Sequence, residues 1–339
     1  MTADGKGPDR RFVLGLAAAG CAGLALGADI VLARRPEASM VRRSGLAFGT
    51  TVSVTLVDDG AAAIEPAFEA AFAAIRAIER AANLFDPGSE IARLNRDGRL
   101  DHPSADFLAM VRFALHLAEA TDGAFDPTVQ PIWCAWRDAH LQGRMPDAAT
   151  LAAAVTRVGY RAVRVAEAAV AFAGNGMGLT LNALAQGLAT DRVMAAVAAC
   201  GIRNAFIDTG ELGARGGRPN RGPWRVGIAD PRAVGRLLTE FSLADRRFVA
   251  TSADNQTFWT PDFAEHHIVE PWSGHSPRAL AECAIVASSG LMADGLSTAA
   301  MVVGPARVGD LLALDPGAIA YLVDKAGRTA ALGPGIGAV

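Results

Sequence analysis

The sequence predicts an α+β fold, with mixed or antiparallel sheets packed against helices in one compact domain with room for two lobes. Three observations carry that reading. Residues 49–57 alternate and are rich in Thr and Val, the period-two pattern of a half-buried strand. Residues 61–84 place Ile64, Phe68, Phe72, Ile75 and Ile78 at helical spacing on one apolar face. The later strands and helices mix without strict β-α alternation, which argues against a doubly wound parallel sheet.

The elements follow in order. Pro66 fits the first turn of the first helix. Residues 85–90, Phe-Asp-Pro-Gly-Ser-Glu, form a turn. A second amphipathic helix is predicted over 106–120 with Ser104 as its cap, and a third over 147–158, started by Pro146-Asp147. Residues 163–173 read as hairpin strands and 182–200 as a long alanine-rich helix. Short strands at 205–208 and 224–228 flank a glycine-rich turn. Residues 238–251 and 266–269 read as extended, 291–303 as helical and 318–323 as a final strand. No internal repeat or low-complexity linker interrupts the chain.

The 339 residues, 51% hydrophobic and 20% charged, suffice to bury one large core or two smaller ones. A net charge of −3 gives no basic excess that would point to nucleic acid. Cys21, Cys134, Cys200 and Cys283 are far apart and form no CxxC pair, which argues against a zinc site or a disulfide framework.

Arg10 and Arg11 stand directly before an apolar run, Phe12 to Leu32, whose single charge is Asp29. Gly15, Gly20, Gly23 and Gly27 keep that run only mildly hydrophobic. This pattern resembles a twin-arginine export signal. An uncleaved membrane anchor is the alternative, since the length just permits one, but the glycines and Asp29 favour export. Val31-Leu32-Ala33 offers a peptidase site. Ala18-Ala19-Gly20-Cys21 loosely resembles a lipoprotein box. The working protein then faces the periplasm.

Several motifs are absent or incomplete. The sequence contains no GxxxxGK[ST], HExxH or GxSxG, so P-loop and hydrolase readings have no support. Gly174 to Gly178 lacks the full dinucleotide fingerprint and reads as a hairpin turn between Phe172 and Leu179. The run Gly333 to Gly337 has no helix after it.

Four stretches could carry chemistry. In Ala293 to Ala299, Asp294 and Thr298 are four residues apart and share a helix face, with Ser297 beside them. These are hard oxygen ligands suited to Mg²⁺, although a polar helix face with a capping Asp gives the same spacing. Thr180 to Gly187 opens a helix, whose N-terminus favours a pyrophosphate, or it is an ordinary strand-to-helix turn. In Glu265 to Pro271, adjacent histidines on a strand would point to opposite faces, so at most one enters a site. Thr121 to Thr128 combines a turn, an aromatic and a carboxylate, and would hold an aromatic base or simply connect two elements.

The order of these stretches resembles the ApbE family of flavin transferases, in a match running from Phe48 to about Gly304. Phe48-Gly49-Thr50 is similar to the family's opening Met-Gly-Thr. Phe85 to Ile91, with Leu94-Asn95, resembles its aromatic-x-x-x-Ser-Glu-Ile turn. Gly123 to Val129 resembles its Gly-Ala-Phe-Asp-Pro-Thr-Val signature. Leu181 to Asp191, Ala250 to Asp254, His267 to Pro271 and Ala293 to Ala299 complete the set. The Asn-Ala-Leu-Ala-Gln-Gly form resembles the branch linked to nitrous oxide respiration, the NosX-type proteins.

The resemblance implies an ApbE-like domain over 40–339 behind a leader over 1–39. It implies Mg²⁺-dependent transfer of FMN from FAD to a threonine of an acceptor protein, with release of AMP. The acceptor would be an extracytoplasmic FMN-binding domain of a membrane redox protein. Phe48, Phe85, Ala124, Phe125 and Asp126 would line the FAD site, completed by Thr180, Gln186 and Ile268. Mg²⁺ would take the Ala183 carbonyl and the side chains of Asp294 and Thr298, with Ser297 close by. His267 would assist proton transfer. The chain also departs from the family. Thr180 stands where Asp is usual and Gln186 where Lys or Glu is usual. Glu270 replaces Asp, Ala253 Gly, and Phe48 Met. Thr180 removes a charge that would meet FAD. Two alternatives stay open: an FAD pyrophosphatase, with water as acceptor, and a non-catalytic flavin carrier, which the Thr180 and Gln186 departures motivate.

Overall fold

The computed structural model describes residues 38–60, 63–219, 222–243 and 245–334. The leader and both of its candidate processing sites lie outside the described residues. The strands are β1 (Ser39–Ala47), β2 (Thr50–Asp58), β3 (Arg99–Asp101), β4 (Val163–Val165), β5 (Ala169–Phe172), β6 (Ala205–Asp208), β7 (Leu212–Arg215), β8 (Gly217–Arg218), β9 (Gly222–Ala229), β10 (Leu237–Leu243), β11 (Arg247–Ala253), β12 (Leu280–Ala287), β13 (Ile319–Asp324) and β14 (Thr329–Leu332). The helices are α1 (Ile64–Ala82), α2 (Glu90–Asp97), α3 (Ala105–Ala120), α4 (Gln130–Leu141), α5 (Ala148–Val155), α6 (Asn182–Ala199), α7 (Gly290–Val303) and α8 (Val308–Leu312).

One eight-stranded sheet, in the order β1-β2-β6-β7-β11-β12-β13-β14, is antiparallel at every pairing. Two three-stranded sheets, β10-β9-β8 and β3-β5-β4, are antiparallel as well. Of the two expected arrangements the protein uses the antiparallel one throughout the described residues.

The period of two sorts the main sheet's side chains into separate cores. Val54, Ile207, Ala250, Ile285 and Leu322 face one side and join α1, α3, α6 and α7 in the main core. Their neighbours Phe206, Val249, Val286 and Tyr321 face the other side and meet Trp224, Val226 and Leu243 of the β9–β10 hairpin. Strand β12 is buried along all eight of its residues because both faces are covered. A third, smaller cluster joins Ile132 and Trp136 of α4 to Leu151 of α5 and Val269.

Helices α2, α3 and α5 begin at side-chain caps. Ser104 accepts from Phe107 N and Asp147 from Thr150 N. Ser89 accepts from Ala92 N and starts α2 out of the predicted turn, and Gly98 ends α2 in the left-handed conformation at φ +70°.

Four expectations need correction. Residues 266–269 are not a strand: only His266 pairs, in a single bridge with Phe258. Side chains anchor this segment instead, as Ser276 Oγ accepts from His266 N and donates to His266 O. The turn at 174–178 does not lead into a hairpin partner, because Leu179 and Thr180 are irregular and no strand lies between β5 and α6. Residues 238–251 are two strands, β10 and β11, in different sheets. Helix α4 was not expected, although Pro131 in its first turn and the spacing of Ile132, Trp136 and Ala139 are helix signals.

Candidate functional site

Helices α6 and α7 cross at two glycines. A Cβ on Gly187 would overlap the carbonyl oxygen of Gly290, with Gly290 C at 2.6 Å and Asp294 Cβ at 2.7 Å; a Cβ on Gly290 would in turn overlap Gly187 O. The missing side chains let the backbones touch, and two carboxylates use the contact. Asp294 of α7 accepts from Gly187 N of α6 at 2.9 Å. Asp191 of α6 accepts from Gly290 N at 2.6 Å and Leu291 N at 2.9 Å. With Ser289 Oγ accepting from Met292 N, the free N–H groups at the start of α7 are satisfied.

Asp294 is buried, and burial pushes its pKa up to about 7. The Gly187 N–H opposes that shift and the neighbouring Asp191 carboxylate adds to it. Among the described residues no cationic group acts on it. Ser297 and Thr298 sit one turn along α7 and meet Ser252 of β11: Ser252 Oγ lies 2.8 Å from Ser297 Oγ and 2.9 Å from Thr298 Oγ1. In an unbroken helix Gly187 N would donate to Ala183 O. Its bond to Asp294 means that this donor is at least shared, so the Ala183 carbonyl keeps capacity for another partner.

Gln186, one residue earlier, lies against the β6–β7 turn, where a Cβ on Gly210 would overlap its amide. Gly210 sits at φ +103°, so this position needs glycine on both counts. The Gln186 carbonyl lies 2.9 Å from both Thr190 Oγ1 and Thr209 Oγ1, which are 2.6 Å from each other, so one hydroxyl donates to the carbonyl and the other to its neighbour.

The loop over 121–128 joins this centre at Thr180, whose N–H donates to Pro127 O at 2.8 Å. Its Asp126 is already engaged, by Thr128 Oγ1 at 2.6 Å, Thr128 N at 2.8 Å and Tyr160 N at 3.0 Å. Burial raises the Asp126 pKa and these bonds offset part of the rise. Asp126 therefore shapes the loop first. Ala124, Phe125 and Ile268 are buried and offer a wall rather than a protruding ring. Asn95 of α2 ties the segment before α6 through both Leu179 N and Leu179 O.

The contacts of Phe48 and Phe85 run elsewhere. Phe48 and Gly49 form the two-residue turn between β1 and β2, at φ +53° and +71°. Such a φ is strained for phenylalanine, and Glu79 Oε1 holds Phe48 N at 2.8 Å. Phe85 is 74% exposed and meets Trp133 edge-on at 6.5 Å, and Trp133 continues to Trp259 at 5.8 Å.

The two histidines lie on a loop rather than a strand, with ring centroids 6.1 Å apart in an edge-on contact. His266 is buried with Nε2 unpaired, and its pKa falls to about 3, chiefly through burial. His267 is half-buried, and burial lowers its pKa too. His267 Nδ1 lies 3.1 Å from Thr257 O. A carbonyl only accepts, so Nδ1 carries the hydrogen and Nε2 keeps a lone pair.

Among the described residues no three His, Cys, Asp or Glu side chains converge as a metal-binding group. A cation at the α6–α7 crossing would rest on one carboxylate, hydroxyls and backbone oxygens. That all-oxygen set fits Mg²⁺, and the buried, uncompensated Asp294 is the charge it would neutralise. Two cavities of about 120 and 170 Å³ lie across the main sheet, between β10 and β13–β14, and hold none of these residues. Sequence reasoning missed Asp191 and Ser252 as site residues. Both were visible in the sequence, Ser252 inside the Ala250 to Asp254 motif and Asp191 at the end of the Leu181 to Asp191 motif, but neither motif shows what its residue contacts.

Known proteins resemble this chain in sequence and fold. The ApbE family model matches residues 48–323. The FAD:protein FMN transferase of Treponema pallidum is 28% identical over 312 residues, covering 85% of this chain and 86% of that one. The FAD:protein FMN transferase of Haemophilus influenzae is 26% identical over 285 residues, covering 79% and 82%. The crystal structure of the Pseudomonas stutzeri flavinyl transferase ApbE, in its apo form, superposes with a TM-score of 0.75 at 27% identity, covering 87% of this chain and 96% of that one. With most of its length inside the family model, the chain belongs to the ApbE family.

Proposed function

We propose that this protein transfers FMN from FAD to a threonine hydroxyl of an acceptor flavoprotein and releases AMP, with Mg²⁺ held at the α6–α7 crossing. The observation that carries this reading is Asp294, a buried carboxylate with no cation beside it among the described residues, bonded to Gly187 N of α6 and one turn from the hydroxyls of Ser297 and Thr298. The names of the relatives support the activity.

In this reading the threonine oxygen bonds to the FMN-side phosphorus of FAD, and the bond from that phosphorus to the AMP oxygen breaks. Such transfers depend on positioning and on stabilising charge in the transition state. Asp294, Thr298 and the Ala183 carbonyl would hold Mg²⁺, which supplies offsetting charge at the pyrophosphate. The loop over 124–128, with Thr180, Gln186 and Ile268, walls the flavin nucleotide. Phe48 and Phe85 would border it from the β1–β2 turn and from the turn that precedes α2. His267 Nε2 accepts the threonine proton, and the lowered pKa keeps it neutral and able to do so. Replacing His267 by Ala should lower kcat by about a hundredfold. Full turnover with saturating FAD and acceptor would remove His267 from the mechanism.

The leader supports placing this chemistry in the periplasm, after twin-arginine export. There a covalent bond keeps flavin on an FMN-binding domain of a membrane redox protein, such as one serving nitrous oxide respiration.

AMP release from FAD by the full chain with Mg²⁺ tests the reading. AMP that appears only when a threonine-bearing acceptor is present supports transfer. AMP and free FMN formed without acceptor would make the protein a pyrophosphatase. Tight FAD binding with no AMP under either condition would make it a carrier.

A further inference from the structure

The three hydroxyls at the α7–β11 contact have one hydrogen each, and the geometry assigns all three. Ser297 Oγ donates to Asp294 O at 2.9 Å, and a carbonyl can only accept. The Ser297 hydrogen is thereby spent. Its 2.8 Å contact with Ser252 Oγ must then be a bond that Ser252 donates. That spends the Ser252 hydrogen, so the 2.9 Å contact between Ser252 Oγ and Thr298 Oγ1 must be donated by Thr298. The result is a one-way chain from Thr298 to Ser252 to Ser297 to Asp294 O. Ser297 is fully buried and Ser252 is 8% exposed, so the chain is largely shielded from solvent.

We infer that Ser252 is a positioning residue for the metal ligand Thr298: by taking the Thr298 hydrogen it leaves Thr298 Oγ1 presenting only lone pairs, the state a divalent cation requires. Ser297 in turn is a relay that holds Ser252 in the donating direction, rather than a ligand as its place in the sequence suggests. This rests on the Mg²⁺ site proposed above and adds a residue from β11 to it. Partners that orient a ligand in this way typically change metal affinity by about 10–100-fold when removed.

The test is a calorimetric titration of Mg²⁺ into the full chain with FAD present throughout, comparing wild type with Ser252→Ala, Ser252→Thr and Asp294→Ala. The expected result is a Kd for Mg²⁺ raised about tenfold in Ser252→Ala. Affinity should return in Ser252→Thr, which keeps the hydroxyl. The Mg²⁺ concentration for half-maximal transferase rate should rise in parallel in Ser252→Ala, while kcat at saturating Mg²⁺ stays within about threefold of wild type. Melting temperatures measured alongside separate a folding defect from a ligand defect. A lowered melting temperature with Mg²⁺ affinity unchanged would make Ser252 merely structural and overturn the inference. Mg²⁺ binding lost in Asp294→Ala but kept within twofold in Ser252→Ala would overturn it and leave the metal site standing. A wild type that takes up no Mg²⁺ would remove the site and this role together.

Discussion

Asp254 and Asp294 are both buried aspartates, and the protein equips them in opposite ways. Asp254, just past β11, takes two bonds from Arg232, both at 2.6 Å, and one from Lys325 Nζ at 2.7 Å. Arg232 also lies over the Phe263 ring, and Lys325 donates to Phe263 O. One paired charge thus ties together the β9–β10 loop, the β11–β12 loop that carries His267, and the β13–β14 turn. Asp294 has one backbone N–H and, nearby, another carboxylate. A buried charge with its counter-ions in place locks structure. A buried charge without one costs stability until a cation arrives, and such perturbed groups mark functional sites.

The largest effect that would break this comparison is on activity. Asp294→Ala should lower transferase turnover by at least about a hundredfold, as expected for loss of a metal's charge stabilisation. Its metal-free melting temperature should not fall, because Gly187 N can return to Ala183 O. A variant that stays active, or that unfolds, would make Asp294 another structural carboxylate.

Next in size is Arg232→Met, which leaves Asp254 buried with one cation. It should cost about 3 kcal/mol in urea unfolding, with kcat per folded molecule little changed. Unaltered stability would mean that Lys325 alone suffices.

The smallest effect is a pH dependence that sharpens the contrast. The Asp294 pKa is raised from 3.8 to about 7, so between those values the folded protein holds a proton that the unfolded chain has released. Stability from this group therefore falls as pH rises through that window. Asp294→Asn should melt higher than metal-free wild type at pH 8, by at least about 2 °C, and the gap should close toward pH 4. Saturating Mg²⁺ should raise the wild type's melting temperature and leave the variant's unchanged. A gap that widens toward acid pH would contradict the assignment.

The parts of the fold that were legible in the sequence are those where local pattern and tertiary need agree. Val54 and Leu56 alternate on β2, Phe68, Ile75 and Ile78 recur on α1, and Ser104 and Asp147 cap their helices. Where tertiary contacts override the local pattern, the reading failed. His266 to Val269 has a strand's composition, yet one bridge and the Ser276 hydroxyl fix it as a loop. For the site, spacing placed Asp294 and Thr298 on one face of α7 but could not say what that face meets. The Gly187–Gly290 crossing and the bonds from Asp191 to α7 link residues about a hundred positions apart. The Ser252 contact bridges a strand and a helix 45 positions apart. Helix periodicity carries no information on such pairs. Ordered motifs similar to a known family brought these residues onto one page, and the fold then gave the distances among them.

The central claim is the transfer itself, and the acceptor's mass reports it most directly. The full chain, FAD, Mg²⁺ and a threonine-bearing FMN-binding domain are incubated together, and the intact mass of the acceptor is measured. A gain of one FMN residue, lost with EDTA and lost when the acceptor threonine is replaced by Ala, is the predicted result. An acceptor of unchanged mass beside FAD turned over to AMP and free FMN would contradict it.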